Sequence, residues 1–128
     1  MLGDVVADDK EGAGVPASGD VPIHVSASEF TTCAVMASGR VYCWGLLGRN
    51  SWSFDDPNTL GVPMRVSGLS GPAVAVTSSL ATTCALLRSG VVECWGSNLM
   101  GLLGRGTEEG IDDLITLKDP APVVFSGN

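Results

Sequence analysis

Basic residues are scarce in this 128-residue chain: 7 Lys and Arg stand against 14 Asp and Glu, with a single histidine, for a formal charge of -7. A surface that neutralises nucleic-acid phosphates needs stripes of Lys and Arg, so binding to duplex DNA is not expected. Long apolar runs are missing too. Stretches such as Ala73–Val76 and Cys84–Leu87 fall far short of the roughly 20 residues that a membrane-crossing helix requires. The N-terminal stretch carries Asp4, Asp8, Asp9 and Glu11 beside a lone Lys10. That is the reverse of a basic segment followed by an apolar one, so no secretory signal is expected there. Aromatics make up 5% and charged residues 16%, against about a quarter charged in an ordinary soluble domain. What is plentiful is glycine, 17 residues, within a chain that is 45% hydrophobic. The length suits one domain of average size, and the glycines point to many tight turns between short strands.

The chain repeats itself. Thr31–Gly45 reads TTCAVMASGRVYCWG and, 51 residues later, Thr82–Gly96 reads TTCALLRSGVVECWG; 10 of 15 positions are identical. Out of phase with this pair, Gly45–Arg49 and Gly101–Arg105 both read GLLGR, and Leu2-Gly3-Asp4 looks like the tail of a further copy. Ser18-Gly19, Ser67-Gly68 and Ser126-Gly127 recur after short apolar stretches and close each unit. The organisation expected is the end of a preceding repeat with an acidic loop at 1–20, a first repeat at 21–71 and a second at 72–128.

Within each unit the pattern is of strands. Phe30–Met36 and Arg40–Gly45 are short, rich in β-branched and aromatic residues, and flank Ala37-Ser38-Gly39, a three-residue hairpin loop with Gly at the left-handed position. Arg88-Ser89-Gly90 repeats it. Val21–Val25 and Ala73–Thr77 are expected as first strands, and Pro63–Val66 and Pro122–Phe125 as last strands, with proline at the strand start where a missing N–H is tolerated. Each unit is then a four-stranded antiparallel meander. One face of the inner hairpin carries Cys33, Val35, Val41 and Cys43, the other Ala34, Met36, Tyr42 and Trp44. Neither face is polar, so both need cover. Radial stacking of several such sheets supplies it, which is the logic of a propeller.

These residues resemble a known family. TTCAL followed by Ser-Gly, then a VxCWG strand, SNLMGLLGRGT at 97–107 and a final Pro-Val stretch are similar to the regulator of chromosome condensation repeat, in the cysteine-bearing form found in bacterial proteins. The resemblance covers nearly the whole chain from Leu2 onward. It implies an all-β fold of two four-stranded antiparallel blades of a β-propeller, the ring being incomplete or completed by oligomerisation. It also implies a non-catalytic module that binds another protein; the alternatives are an exchange-factor-like regulator of a small GTPase and a metal- or glycan-binding propeller fragment.

Cysteine is the first residue type that could carry chemistry. Cys33 and Cys43 are equidistant from Ser38, as Cys84 and Cys94 are from Ser89, so each pair lies directly across its hairpin, within disulfide reach. A bridge in each unit would contribute at most about 3 kcal/mol and suits an extracellular, cell-surface or periplasmic parent, a cytoplasmic one being the alternative. Buried free thiols are the other reading; a C-x9-C spacing within one hairpin matches no zinc pattern.

Trp44 and Trp95 close equivalent strands and are expected to pack between blades. Trp52 and Phe54 lie in a polar loop between Arg49 and Pro57 and have no counterpart in the second unit. With Arg49 and Arg105 they are candidate protein-binding residues, a local cluster over a shortened loop being the alternative. The acidic loops Asp4–Glu11 and Glu108–Asp113 lack the order of a calcium-binding loop and read as solvated. His24 is expected to be structural or exposed. Gly12-Ala-Gly14 runs straight into Val15-Pro16 without a preceding strand, so it is not a dinucleotide site. No hydrolase elbow, phosphate loop or zinc-protease motif occurs. Neither an enzyme nor a cofactor nor a metal site is expected, and the partner is an unspecified protein or further copies of the chain.

Overall fold

The computed structural model describes residues 16, 18–45, 61–79, 82–106 and 117–125. The first sheet contains β1 (Pro22–Ala27), β2 (Thr31–Met36), β3 (Val41–Gly45) and β4 (Met64–Arg65). The second contains β5 (Ala73–Ser78), β6 (Thr82–Leu87), β7 (Val92–Ser97) and β8 (Leu117–Pro122). In each sheet the spatial order follows the chain and all neighbours are antiparallel. These are two blades of a β-propeller, and their equivalence reaches down to defects: β1 is bulged against β2 between Pro22 and His24, and β5 against β6 between Ala73 and Ala75. The inner hairpins turn as the sequence predicts, with Gly39 and Gly90 at φ of 93° and 95°.

The last strands differ from expectation. β4 is only two residues long, although the Val66 N–H continues it by donating to the Val41 carbonyl (2.8 Å). β8 runs over Leu117–Pro122 rather than Pro122–Phe125. The apolar Val123-Val124-Phe125 run suggested a strand, but the outermost position of a sheet needs few N–H donors and so accepts Pro120 and Pro122. Cys94 pairs with Ala121 and Gly96 with Lys118, so Asp119 and Pro120 together oppose Trp95, the two-against-one count of a β-bulge.

The core lies between the blades. From the first blade Cys33, Val35, Val41, Cys43 and Val66 pack with Ala73, Val76, Ala85, Leu87 and Trp95 of the second. β5 crosses this gap against β1 and β2. Its Val76 N–H donates to His24 Nδ1 (3.2 Å) and its Ser78 N–H to Ser26 Oγ (3.2 Å), while the Ala73 N–H donates to the Gly39 carbonyl (2.9 Å). His24, the sole histidine, is thus a structural acceptor that links the blades. On the opposite face of the first blade Ala34, Met36 and Tyr42 are buried, whereas Val25, which pairs with Ala34, is exposed.

The two hairpin glycines give a prediction. A Cβ on Gly39 would stand 2.2 Å from Pro72 Cβ and 2.7 Å from Pro72 Cα, whereas a Cβ on Gly90 would meet nothing within 4 Å. Gly90→Ala should cost only the left-handed backbone penalty, about 1 to 2 kcal/mol. Gly39→Ala should cost at least about 1.5 kcal/mol more, because the linker between the blades must move off the turn. Urea-unfolding midpoints of the two variants compare them directly; equal midpoints would mean that Pro72 does not seat on Gly39.

Candidate interaction surface

One end of the pair carries the loop that leaves β7. Ser97 and Asn98 are buried and polar, and both are spent on holding the loop. Ser97 Oγ accepts from the Leu99 N–H (3.1 Å), and Asn98 Oδ1 from the Leu103 N–H (3.1 Å). Backbone bonds from Gly101 to the Asn98 carbonyl, from Leu102 to that of Leu99 and from Gly104 to that of Gly101 close successive tight turns. Below, Thr82 Oγ1 donates to the Ser97 carbonyl (2.9 Å).

So ordered a loop cannot bury every apolar side chain it carries. Leu103 is fully buried and anchors it, while Met100, at a φ of 55°, is 81% exposed and Leu102 is 54% exposed. The Val124 N–H donates to the Gly104 carbonyl (2.7 Å), and Val124 and Phe125 are themselves exposed. Rigid, displayed apolar side chains are what a protein partner can cover at little cost in entropy, and methionine adapts well to varied partner surfaces.

Arg105, expected as a contact residue, lies behind this loop. Its Nη2 donates to the carbonyls of Cys94 (2.7 Å) and Asp119, the two strands joined at the β8 bulge. The guanidinium therefore pins the outer strand. Trp52, Phe54 and Arg49 lie outside the described residues, as do the acidic loops Asp4–Glu11 and Glu108–Asp113 and the Gly12–Gly14 stretch. Met100 and Leu102 were not singled out from sequence; the available signal was four apolar residues in a loop too glycine-rich to bury them all.

The other end of the pair has a groove of about 590 Å³ between the β2–β3 turn and the linker joining the blades, bordered by Arg40, Arg65 and Ser67 among others. Two carboxylates organise its walls. Asp20 accepts from the Ser38 N–H and Oγ (2.8 and 2.7 Å), and Glu93 from the Ser70 N–H and Oγ (2.8 and 2.9 Å). These serine hydroxyls serve as donors to carboxylates and none faces a histidine. Among the described residues no cluster of His, Cys, Asp or Glu could hold a metal ion, and no helix is long and apolar enough to cross a membrane.

Both cysteine pairs form disulfides. Cys33–Cys43 and Cys84–Cys94 join Cα atoms 4.1 and 4.0 Å apart, the closer spacing of a non-hydrogen-bonded antiparallel pair.

Comparison with known proteins agrees with this geometry. The family description "Regulator of chromosome condensation (RCC1) repeat" matches residues 23–51, from β1 through β3. The chain is 32% identical over 91 residues to the E3 ubiquitin-protein ligase HERC2 of Homo sapiens, covering 69% of this chain and 2% of that protein. Its repeats are regulator of chromosome condensation (RCC1) repeats. The E3 ubiquitin-protein ligase MYCBP2 of Danio rerio is 34% identical over 83 residues, 65% of this chain and again 2% of the relative. This chain thus spans about 2% of the length of either curated relative. Among solved structures, Prp20p from Saccharomyces cerevisiae superposes with a TM-score of 0.61 at 21% identity, over 90% of this chain and 32% of that one. Human WBSCR16 does so at 0.62 and 21%, over 94% and 32%. At such identities the likeness is one of fold, and it places both RCC1 blades in a propeller architecture.

Proposed function

We propose that this chain is a non-catalytic protein–protein interaction module, a piece or building block of an RCC1-type propeller, whose contact surface is the segment Asn98–Gly106 that leaves β7. The observation that carries this reading is the display of Met100 and Leu102 on a loop locked by Ser97, Asn98 and Leu103. Arg105 contributes by fixing the loop to the sheet, and Trp52, Phe54 and Arg49 are further contact candidates. The two disulfides support an oxidising, extracellular type of compartment for the working protein. Ring completion belongs to the same proposal: Ile23 and Val25 at one end and Leu86 at the other are exposed, a pattern that suits further blades, from other copies or from a longer chain.

A photo-reactive residue substituted at Met100 should crosslink to a partner that the same residue at Arg88 does not capture, and Leu102→Asp should abolish the adduct. Equal capture from both positions would remove the loop from consideration. The second reading, an exchange-factor-like regulator of a small GTPase, is favoured by the fold shared with Prp20p, a protein whose structure is described together with its binding to Gsp1p and histones. Nucleotide release from purified Gsp1p separates the two readings. The interaction-module reading expects the release rate to be unchanged by the chain.

A further inference from the structure

The junction between the blades is closed along the free edge of β5. The Val76 and Ser78 N–H groups of β5 donate to His24 Nδ1 and Ser26 Oγ of β1, each at 3.2 Å, and the Ala73 N–H donates to the Gly39 carbonyl (2.9 Å). The register puts His24 opposite Val35 and Ser26 opposite Cys33, so both side chains stand on the face of the first blade that meets the second. Of the three acceptors only the imidazole can be lost to a proton. A ring nitrogen accepts a hydrogen bond only while it carries no hydrogen, and the imidazolium carries one on both nitrogens. The Val76 bond therefore holds the neutral ring with its hydrogen on Nε2. Ala75 stands at the equivalent place in the second blade, opposite Leu86, and has no side-chain acceptor, so the imidazole link belongs to this junction and not to the repeat.

We propose that the His24–Val76 link is a pH-sensitive latch between the blades, closed while the ring is neutral and opened when it is protonated. Histidine side chains change charge between about pH 8 and pH 5. The cation turns an N–H toward the Val76 N–H whichever way the ring is flipped, so the closed latch excludes the proton. By linkage, lowering the pH opens the latch and raising it closes the latch again. No charged group on the packed strands competes: β1, β2 and β5 carry no Asp, Glu, Lys or Arg, and Cys33 is held in a disulfide. The nearest carboxylates along the chain are Asp20, which accepts from the Ser38 N–H and hydroxyl, and Glu29 between β1 and β2. The Ser26 hydroxyl and the Gly39 carbonyl do not titrate in this range, so the blades stay together and only the middle of the β5 edge is released.

The test is amide hydrogen exchange of the whole chain, followed by NMR between about pH 7.5 and 5.5 and expressed as protection relative to an unstructured peptide at the same pH. Protection of the Val76 amide should fall about tenfold, the effect of one hydrogen bond, in step with the ring resonances of His24. The Ala73 and Ser78 amides should keep theirs within about twofold. In His24→Asn the side-chain oxygen lies as many bonds from the backbone as Nδ1 does and takes no proton in this range, so Val76 should stay protected throughout. A Val76 protection that ignores pH, an equal loss at all three amides, or the same loss in His24→Asn would each overturn the proposal. A second measurement needs no variant: the nitrogen chemical shifts of the neutral ring in the unaltered chain should show a bare Nδ1 and a hydrogen on Nε2, and the opposite tautomer would overturn the proposal as well.

Discussion

Trp95→Ala is expected to lower the stability of the chain by about 3 to 5 kcal/mol, and Trp44→Ala by less than half as much. The two tryptophans end identical Cys-Trp-Gly stretches, and a repeat alone would rank them equally. The cross-strand register separates their surroundings. Trp95 sits opposite Thr83 on the face of the second blade that also carries Ala85 and Leu87, and it belongs to the core between the blades. Trp44 sits opposite Thr32, on the face that points away from the second blade, and is only half-buried. Removing a large ring from a closed core loses both its transfer free energy and the packing around the hole, whereas a half-exposed ring has already kept part of its hydration. Against a total stability of about 5 to 15 kcal/mol for a domain, the first variant should be close to unfolding at room temperature. Urea titration followed by tryptophan fluorescence measures both. Similar losses would mean that the assignment of faces to blade contacts is mistaken.

Glu93→Ala should cost about 2 to 4 kcal/mol, a large effect for a charged residue in a strand. Its side chain is buried and its carboxylate accepts two hydrogen bonds from Ser70, on the linker that leads into the second blade. Deleting it leaves the Ser70 N–H without its acceptor in partly buried surroundings and opens a space beside β7. Ser70→Ala removes only the hydroxyl half of the clasp and should cost about 1 kcal/mol. Thermal unfolding of the two variants should therefore rank Glu93→Ala well below Ser70→Ala. The reverse order would mean that the carboxylate is not what holds the linker. Asp20 plays a related part in the first blade by gripping Ser38. In both blades an acidic side chain thus fixes a turn or linker, so part of the acidic content of the chain is structural rather than solvated.

The disulfides, hairpins and meander were legible because each depends on near neighbours in the chain. Two cysteines equidistant from a three-residue turn must face each other whatever the rest of the molecule does, and period-two alternation sets which side chains share a face. The last strand was misread for a complementary reason. Val123-Val124-Phe125 has the composition of a strand, but pairing went to Leu117–Pro122, which carries two prolines. Strand composition reports fit to a half-buried sheet, and the outermost position, with a bulge secured by Arg105, asks for little of it. Nothing in GLLGRG tells that the Arg105 guanidinium reaches the carbonyls of Cys94 and Asp119. Met100 and Leu102 escaped notice because apolar residues are usually core, and which of Leu99, Met100, Leu102 and Leu103 the loop buries depends on how Asn98 and Ser97 fold it.

The sequence by itself therefore determined the repeat, the all-β blades, the facing cysteines and the need for cover on both sheet faces, since these follow from turn geometry and alternation over a few residues. Tertiary structure alone decided that Trp95 and Glu93 are sealed while Trp44 and Cys84 stay partly open, and that Gly39 carries Pro72 while Gly90 carries nothing. The reason is physical: equivalent residues in two repeats have the same local conformation, but burial depends on whether another sheet lies against them, and only the first blade has the second lying on its cysteine-bearing face.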